Sequence, residues 1–209
     1  MREQGIASCG KHFPGYSAAT LDAHHELPKI ERTRAQLDEE ELTVFRQFAP
    51  RVDSMMICHG WYPSFEPRKM PASLSHRIVT KLLREEFGFD GLIMTDDLDM
   101  GAILNEYDLD ETIDLALAAG NDLAMICHRV AAIDKVHATL RRLPHSQIDR
   151  ALQSVDAFKT RLVSPDPFSE ESFRKINDEI WNLRVAVLGE DRAKVLSVED
   201  ANRSPVELY

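Results

Sequence analysis

Apolar positions along the chain fall into two kinds of pattern. Four short runs are apolar without a clean in–out alternation: GIASC (Gly5 to Cys9), SMMIC (Ser54 to Cys58), GLIMT (Gly91 to Thr95) and DLAMIC (Asp122 to Cys127). Such runs read as strands covered on both faces, the habit of parallel sheets. Between them, apolar residues recur at helical spacing. Leu42, Phe45 and Phe48 share one face of a run that Asp38 can cap. Ile78, Leu82 and Leu83 form a stripe within His76 to Phe87, with Ser73 or Ser75 as its cap and Gly88 just past its end. DETIDLALAAG begins at Asp110 and closes on Gly120. Val130 to Leu143, Gln147 to Leu162 and, after the breaker PDPFS, Ser169 to Leu183 keep the helical period. RVAVLG, from Arg184, has the composition of a strand, and the remaining tail reads as a polar extension.

The order is therefore strand, loop, helix, repeated four times, followed by extra helices. Repeated βα units imply an α/β fold with a parallel sheet and right-handed crossovers. Four units fit a small open sheet or half of an eight-fold barrel, and periodicity leaves both open.

In either architecture the chemistry gathers at the carboxyl ends of the strands. Every predicted strand ends in polar groups. Lys11 and His12 follow the first, leading into a loop with Asp22, His24 and His25; His59-Gly60-Trp61-Tyr62 follows the second, Asp96-Asp97 the third and His128-Arg129 the fourth. Successive residues of a strand point to opposite sides, so one of Asp96 and Asp97 can face a pocket while the other caps the next loop or helix. A carboxylate there suits a nucleophile or base, although two capping aspartates would look the same. Asp22 and His24 are two residues apart, close enough for the carboxylate to fix the imidazole tautomer and raise its basicity. Such a pair can give up and retrieve a proton near neutral pH. A solvated polar loop has the same composition. His59, Trp61 and Tyr62 suit either strand-end packing or an aromatic floor under a sugar.

The 209 residues suffice for one sizeable domain or two small ones, and a 44% hydrophobic content can bury a core. A net charge of −10 argues against nucleic acid or an anionic membrane surface as partner. Cys9, Cys58 and Cys127 are scattered without a CxxC pair, so zinc or a disulfide framework is not expected, and reduced thiols suit the cytoplasm. No apolar run is long enough to span a bilayer, and MREQGIASCG does not look like a signal peptide.

KHFPG followed by D-x-H and LP, then PASLS-x6-LLREEFGFDGLIMTDDLDMGAI and DLALAAGNDLAMICHR, resemble glycoside hydrolase family 3. The resemblance runs from about Gly5 to Leu183 and is strongest to bacterial β-N-acetylhexosaminidases, the β-N-acetylglucosaminidases of cell-wall recycling. It implies the C-terminal half of a TIM-type (β/α)8 barrel, four βα units plus extra C-terminal helices, with residues 1–183 as the partial catalytic barrel and 184–209 as an extension. It also implies a retaining hydrolase of terminal β-linked N-acetylglucosamine, acting on peptidoglycan-type or other oligosaccharides by double displacement. Asp96 would be the nucleophile, His24 backed by Asp22 the acid/base, and Lys11 and His12 the pair holding sugar hydroxyls; His59 is expected to touch substrate as well. A mobile loop would then close to deliver its proton. No cofactor and no metal are expected. A metal-dependent hydrolase built on His12, His24, His59 and Asp96 is a further reading.

Two departures stand out. Where the family usually reads KHFPGHG-D, this chain has KHFPGYS-A, with Tyr16, Ser17 and Ala18 in place of His, Gly and Asp. The KHFPG motif also lies at position 11, so the four units would be barrel strands five to eight, and upstream sugar-binding positions have no counterpart. A half-barrel exposes two strand edges, so a homo-oligomer or a complementary N-terminal half-barrel is the expected partner. The alternative function is a truncated, catalytically silent sugar-binding or assembly remnant.

Overall fold

The structure, a computed structural model, describes residues 5–16, 19–165 and 167–195. Its contacts divide the chain into two units, one reaching Leu162 and one beginning at Val163.

The first unit is built on a parallel sheet in the order β1 (Cys9–Phe13), β2 (Ser54–Ile57), β3 (Leu92–Asp97) and β4 (Leu123–Met125). The order follows the sequence, as successive right-handed βα units require. The connections carry α1 (Arg34–Glu39) and α2 (Glu41–Phe48) after β1, a π-helix (Arg77–Glu86) after β2, and α3 (Gly101–Leu104) and α4 (Leu109–Ala119) after β3. Beyond β4 come α5 (Ile133–Leu140) and α6 (His145–Lys159). Phe13, Met55, Ile57 and Ile93 meet Leu37, Leu42, Ile78 and Leu83 in one core cluster. Leu98, Ile103, Ile113, Leu117 and Ala151 form a second. Phe13 packs edge-on against Phe45 and Phe87, with ring centroids 5.2 and 5.7 Å away.

Several expected boundaries move, each for a local reason. The first strand is Cys9–Phe13 rather than Gly5 to Cys9. Ser8 is held by Asp53 instead: its N–H and hydroxyl both donate to Asp53 Oδ2, at 2.8 and 3.0 Å. Lys11 and His12 thus lie in the strand, not after it. The run expected to start at Asp38 is α2, which starts at Glu41 after Glu40. The shorter α1 precedes it, capped by Thr33, which forms a reciprocal capping box with Gln36. Asp38 sits inside α1 and binds Arg34 and Arg46. Neither Ser73 nor Ser75 caps the π-helix; their hydroxyls bond His59 Nδ1 and Glu66 Oε2. In the π-helix Phe87 N–H reaches back five residues to Leu82 O. Gly88 and Gly120 end their helices as expected, with φ of +63° and +114°.

The second unit contains α7 (Glu170–Leu188) and α8 (Glu190–Ala193). RVAVL is helical, not a strand. Phe173, Ile176, Ile180, Leu183 and Val187 recur at alternating steps of three and four, and that helical period overrides the β-branched composition. The expected boundary between Leu183 and Arg184 lies inside this helix. Residues 196–209 of the expected extension lie outside the described residues. Among the described residues no helix is long and apolar enough to cross a membrane.

At the amino end of the sheet one cation joins three elements. Arg84 Nη1 donates to the Phe89 and Gly91 carbonyls and Nη2 to Asp122 Oδ2, while Asp122 also accepts from the Ile93 N–H. Burial raises the Asp122 carboxyl and lowers the Arg84 guanidinium from their ordinary values. Arg84→Met is therefore expected to cost about 3 kcal/mol, by stranding a buried carboxylate. Lys81→Met, which removes a surface pair with Glu85, is expected to cost less than about 0.5 kcal/mol. Urea unfolding midpoints measure both.

Candidate active site

Asp96 and Asp97 end β3 and point apart, as strand geometry demands. Asp97 turns inward: its Oδ1 accepts from the Asp99 and Cys127 N–H groups, each at 3.1 Å. It is the capping member of the pair. Asp96 faces the other side, where its Oδ2 lies 3.6 Å from His12 Nε2. The His12 side chain is 32% exposed and that of Asp96 17%, so both border solvent.

β1 and β3 are not neighbours; β2 runs between them. Adjacent strands lie about 4.8 Å apart, so side chains from the outer two must lean over the end of β2 to meet. Irregular pairing makes this possible. The β1–β2 register slips between Gly10 and Phe13, and the β3–β4 register slips between Met94 and Asp97. His12 lies in the first irregularity and Asp96 in the second, and such bulges re-aim side chains. Thr95 Oγ1 accepts the Met125 N–H at 3.0 Å, filling the gap left in the second ladder. The Lys11–His12 and Phe13–Pro14 peptide bonds are cis.

Burial is the largest influence on His12 and lowers its pKa; Asp96 pulls the other way, and Lys11 and His24 add to the lowering. The imidazole therefore lies within electrostatic range of the carboxylate, the lysine and the loop histidine together.

The loop from Asp22 to Glu26 is an Asx-type turn. Asp22 Oδ1 accepts the His24 N–H at 2.9 Å and lies 2.7 Å from His24 Nδ1, while Asp22 O accepts from the His25 and Glu26 N–H groups. The expected Asp22–His24 pair is formed, and the carboxylate fixes Nδ1 as the protonated nitrogen, leaving Nε2 outward. These two bonds hold the Asp22 carboxyl below its ordinary value. The turn is docked against α3: Gly101 N–H donates to His24 O at 3.0 Å and Ala102 N–H to Ala23 O at 3.1 Å.

His59 is placed differently from the other expected residues. It is fully buried, with Nε2 2.9 Å from Asp97 O and Nδ1 2.8 Å from Ser73 Oγ. A carbonyl only accepts, so Nε2 carries the proton and Nδ1 receives the Ser73 hydroxyl. Burial lowers its pKa and keeps it neutral. Neither ring nitrogen is left for a sugar or a metal; His59 braces β2 to β3. Among the described residues no three His, Cys, Asp or Glu side chains are grouped to hold a metal ion.

Tyr62 is fully buried in the core, and Trp61 donates Nε1–H to Glu66 O, so both serve packing. Tyr16, one of the departures, lays its ring 5.8 Å from that of His12 and accepts the His59 N–H at 2.9 Å. Ser17 and Ala18 lie outside the described residues. Sequence reasoning missed Asp99, buried, whose Oδ2 accepts the His128 and Arg129 N–H groups at 3.1 and 2.9 Å. The third acid of MTDDLDM was its signal.

The family model for the glycosyl hydrolase family 3 N terminal domain matches residues 1–157. A beta-hexosaminidase of Pseudomonas aeruginosa is 36% identical over 153 residues, which is 72% of this chain and 46% of the relative. One of Chromobacterium violaceum is 35% identical over 150 residues, 71% of this chain and 42% of the relative. The chain thus spans less than half the length of these curated relatives. Among solved structures, a glycoside hydrolase family 3 β-N-acetylglucosaminidase from Paenibacillus superposes with a TM-score of 0.73 at 37% identity, covering 81% of this chain and 34% of that one. The β-N-acetylglucosaminidase from Thermotoga maritima gives 0.67 at 30% identity, covering 74% and 35%.

The opposing influences on His12 yield a prediction. Its midpoint, followed by NMR of the ring Cε1–H, is expected below the ordinary 6.5, and Asp96→Asn is expected to lower it further by removing the upward pull of the carboxylate. Lowering means that the neutral form is favoured in the folded protein. His12 therefore costs stability as pH falls below 6.5, where the unfolded chain takes up a proton first. An unchanged midpoint in Asp96→Asn would show that the two groups do not interact.

Proposed function

Because the chain belongs to glycoside hydrolase family 3 and carries the fold of its half-barrel, we propose that it supplies the covalent-chemistry half of a retaining β-N-acetylhexosaminidase. The observation that carries this reading is the meeting of Asp96 with His12 over the end of β2, beside a loop bearing a preformed Asp22–His24 pair. The beta-hexosaminidases and β-N-acetylglucosaminidases among its relatives support the choice of substrate class.

In the first step an Asp96 carboxylate oxygen attacks the anomeric carbon. The bond from that carbon to the aglycone oxygen breaks, and His24 Nε2 gives its proton to the departing oxygen. In the second step water yields a proton to Nε2 and attacks the same carbon, releasing Asp96 and a sugar of retained configuration. Asp22 holds Nδ1–H throughout, so the ring turns its other nitrogen to the reaction. Lys11 and His12 bind sugar hydroxyls from β1. His59 supports this set from below through Asp97 rather than by touching the sugar.

The outer edges of β1 and β4 have no strand beside them among the described residues, and Leu123 is 37% exposed. We propose a complementary N-terminal half-barrel as the partner, which would close the sheet and complete the sugar pocket; a second copy of the chain is the other candidate. Cys9, Cys58 and Cys127 are free thiols, which suits the cytoplasm. The second reading is a silent remnant that binds sugar or assembles without turnover.

Hydrolysis of a chromogenic N-acetyl-β-glucosaminide, by the chain alone and with a complementary half-barrel, tests the proposal. Turnover is expected, and Asp96→Asn is expected to reduce kcat by about a thousandfold or more. Folded protein that binds N-acetylglucosamine but never turns it over, with or without the complement, would establish the silent reading.

A further inference from the structure

The loop that carries His24 and the strand that carries Asp96 are joined by contacts that neither side chain makes. Three successive loop carbonyls face the turn after Asp96. Ala23 O accepts from the Ala102 N–H at 3.1 Å, His24 O from the Gly101 N–H at 3.0 Å, and His25 O from Asn105 Nδ2 at 2.8 Å. Ala23 is buried beneath them, whereas the Asp22 and His24 side chains remain 58% and 38% exposed. The approach is so close that only glycine fits. A Cβ on Gly101 would lie 2.5 Å from His25 O and 2.7 Å from His24 O, both backbone atoms that cannot swing aside. Gly101 has no positive φ and no need for one, so the requirement is space alone.

We propose that Gly101 and Asn105 are positioning residues that latch the His24 loop against the turn following the nucleophile, setting the imidazole's distance from Asp96 through the backbone. The inference rests on the proposed hydrolase reading for its catalytic consequence, but the latch itself is a property of the loop. Its physical logic is that three carbonyls gripping one short helix fix both position and tilt of the turn. A turn held only by Asp22 would have the right shape and no fixed place.

The test has two arms on the full chain. Hydrogen exchange at residues 19–28 is measured for the wild type, Gly101→Ala and Asn105→Asp. Asn105 is exposed, so its carboxylate replacement opposes His25 O without threatening the fold. Both variants are expected to raise exchange across Ala23 to Glu26 at least about fivefold while the sheet amides stay protected. Unchanged loop exchange in folded Asn105→Asp would overturn the latch, whatever the chain's activity.

The second arm compares kcat/KM for two N-acetylglucosaminides in the completed enzyme. A dinitrophenyl aglycone leaves without a proton, whereas an alkyl aglycone needs one from His24. Unlatching is expected to lower kcat/KM about tenfold for the alkyl substrate and little for the dinitrophenyl one, because only the former draws on general acid catalysis. Equal losses on both would reduce Gly101 and Asn105 to general structural residues. If the wild type shows no turnover, the hydrolase reading fails, while the exchange arm still decides the latch.

Discussion

The site depends on one constraint: β2 stops short while the strands on either side of it do not run straight. The ladder is regular from Ser54 to Ile57 against Leu92 to Thr95, then ends. On one flank the β1 pairing slips before Phe13, and on the other the β4 pairing slips before Asp97. The strands that carry His12 and Asp96 are two spacings apart, roughly 10 Å between backbones. Across that gap the imidazole and the carboxylate reach to 3.6 Å. The buried polar set beneath holds this irregular backbone. Asp97 accepts the Cys127 N–H, Asp99 those of His128 and Arg129, and His59 ties the Asp97 carbonyl to Ser73. Each satisfies a backbone group that a regular ladder would have paired, as buried polar groups require.

The parallel sheet and its four units were legible because both signals are local. Apolar runs without alternation mark covered strands, and the helical stripes around Leu42, Leu82 and Ile113 mark the helices that cover them. The site at the strand tips followed from that topology. The Asp22–His24 pair was legible too, since two residues of separation nearly dictate the turn. The features that stayed hidden depend on partners distant in sequence. Ser8 leaves the ladder because of Asp53, 45 residues away. His59 looked like a pocket residue because its neighbours in sequence are aromatic and polar; its actual partners, Ser73 and Asp97, lie 14 and 38 residues on. The strand bulges are invisible for the same reason, as register belongs to a pair of strands and not to either one.

Gly101 shows a further limit. In DMGAI it reads as an ordinary helix start, and the loop groups it receives are carbonyls, which every residue has. No residue type along Ala23-His24-His25 announces the contact. Only a close approach that a Cβ would block makes the glycine informative, and that is a fact of three dimensions.

Tyr16 shows how a departure from the family pattern can be absorbed by the same architecture. Its hydroxyl accepts the N–H of His59, and its ring stands 5.8 Å from that of His12, so it bonds the residue bracing β2 to β3 while packing beside the one at the tip of β1. Burial keeps its phenol protonated far beyond the usual range. A neutral ring therefore stands beside His12 where the family usually places a titratable imidazole. The departure thus places a phenol, bonded to the His59 N–H, beside the His12 ring. In the proposed mechanism the loop imidazole gives the proton to the leaving oxygen, so the position of that loop is the quantity on which the rate turns.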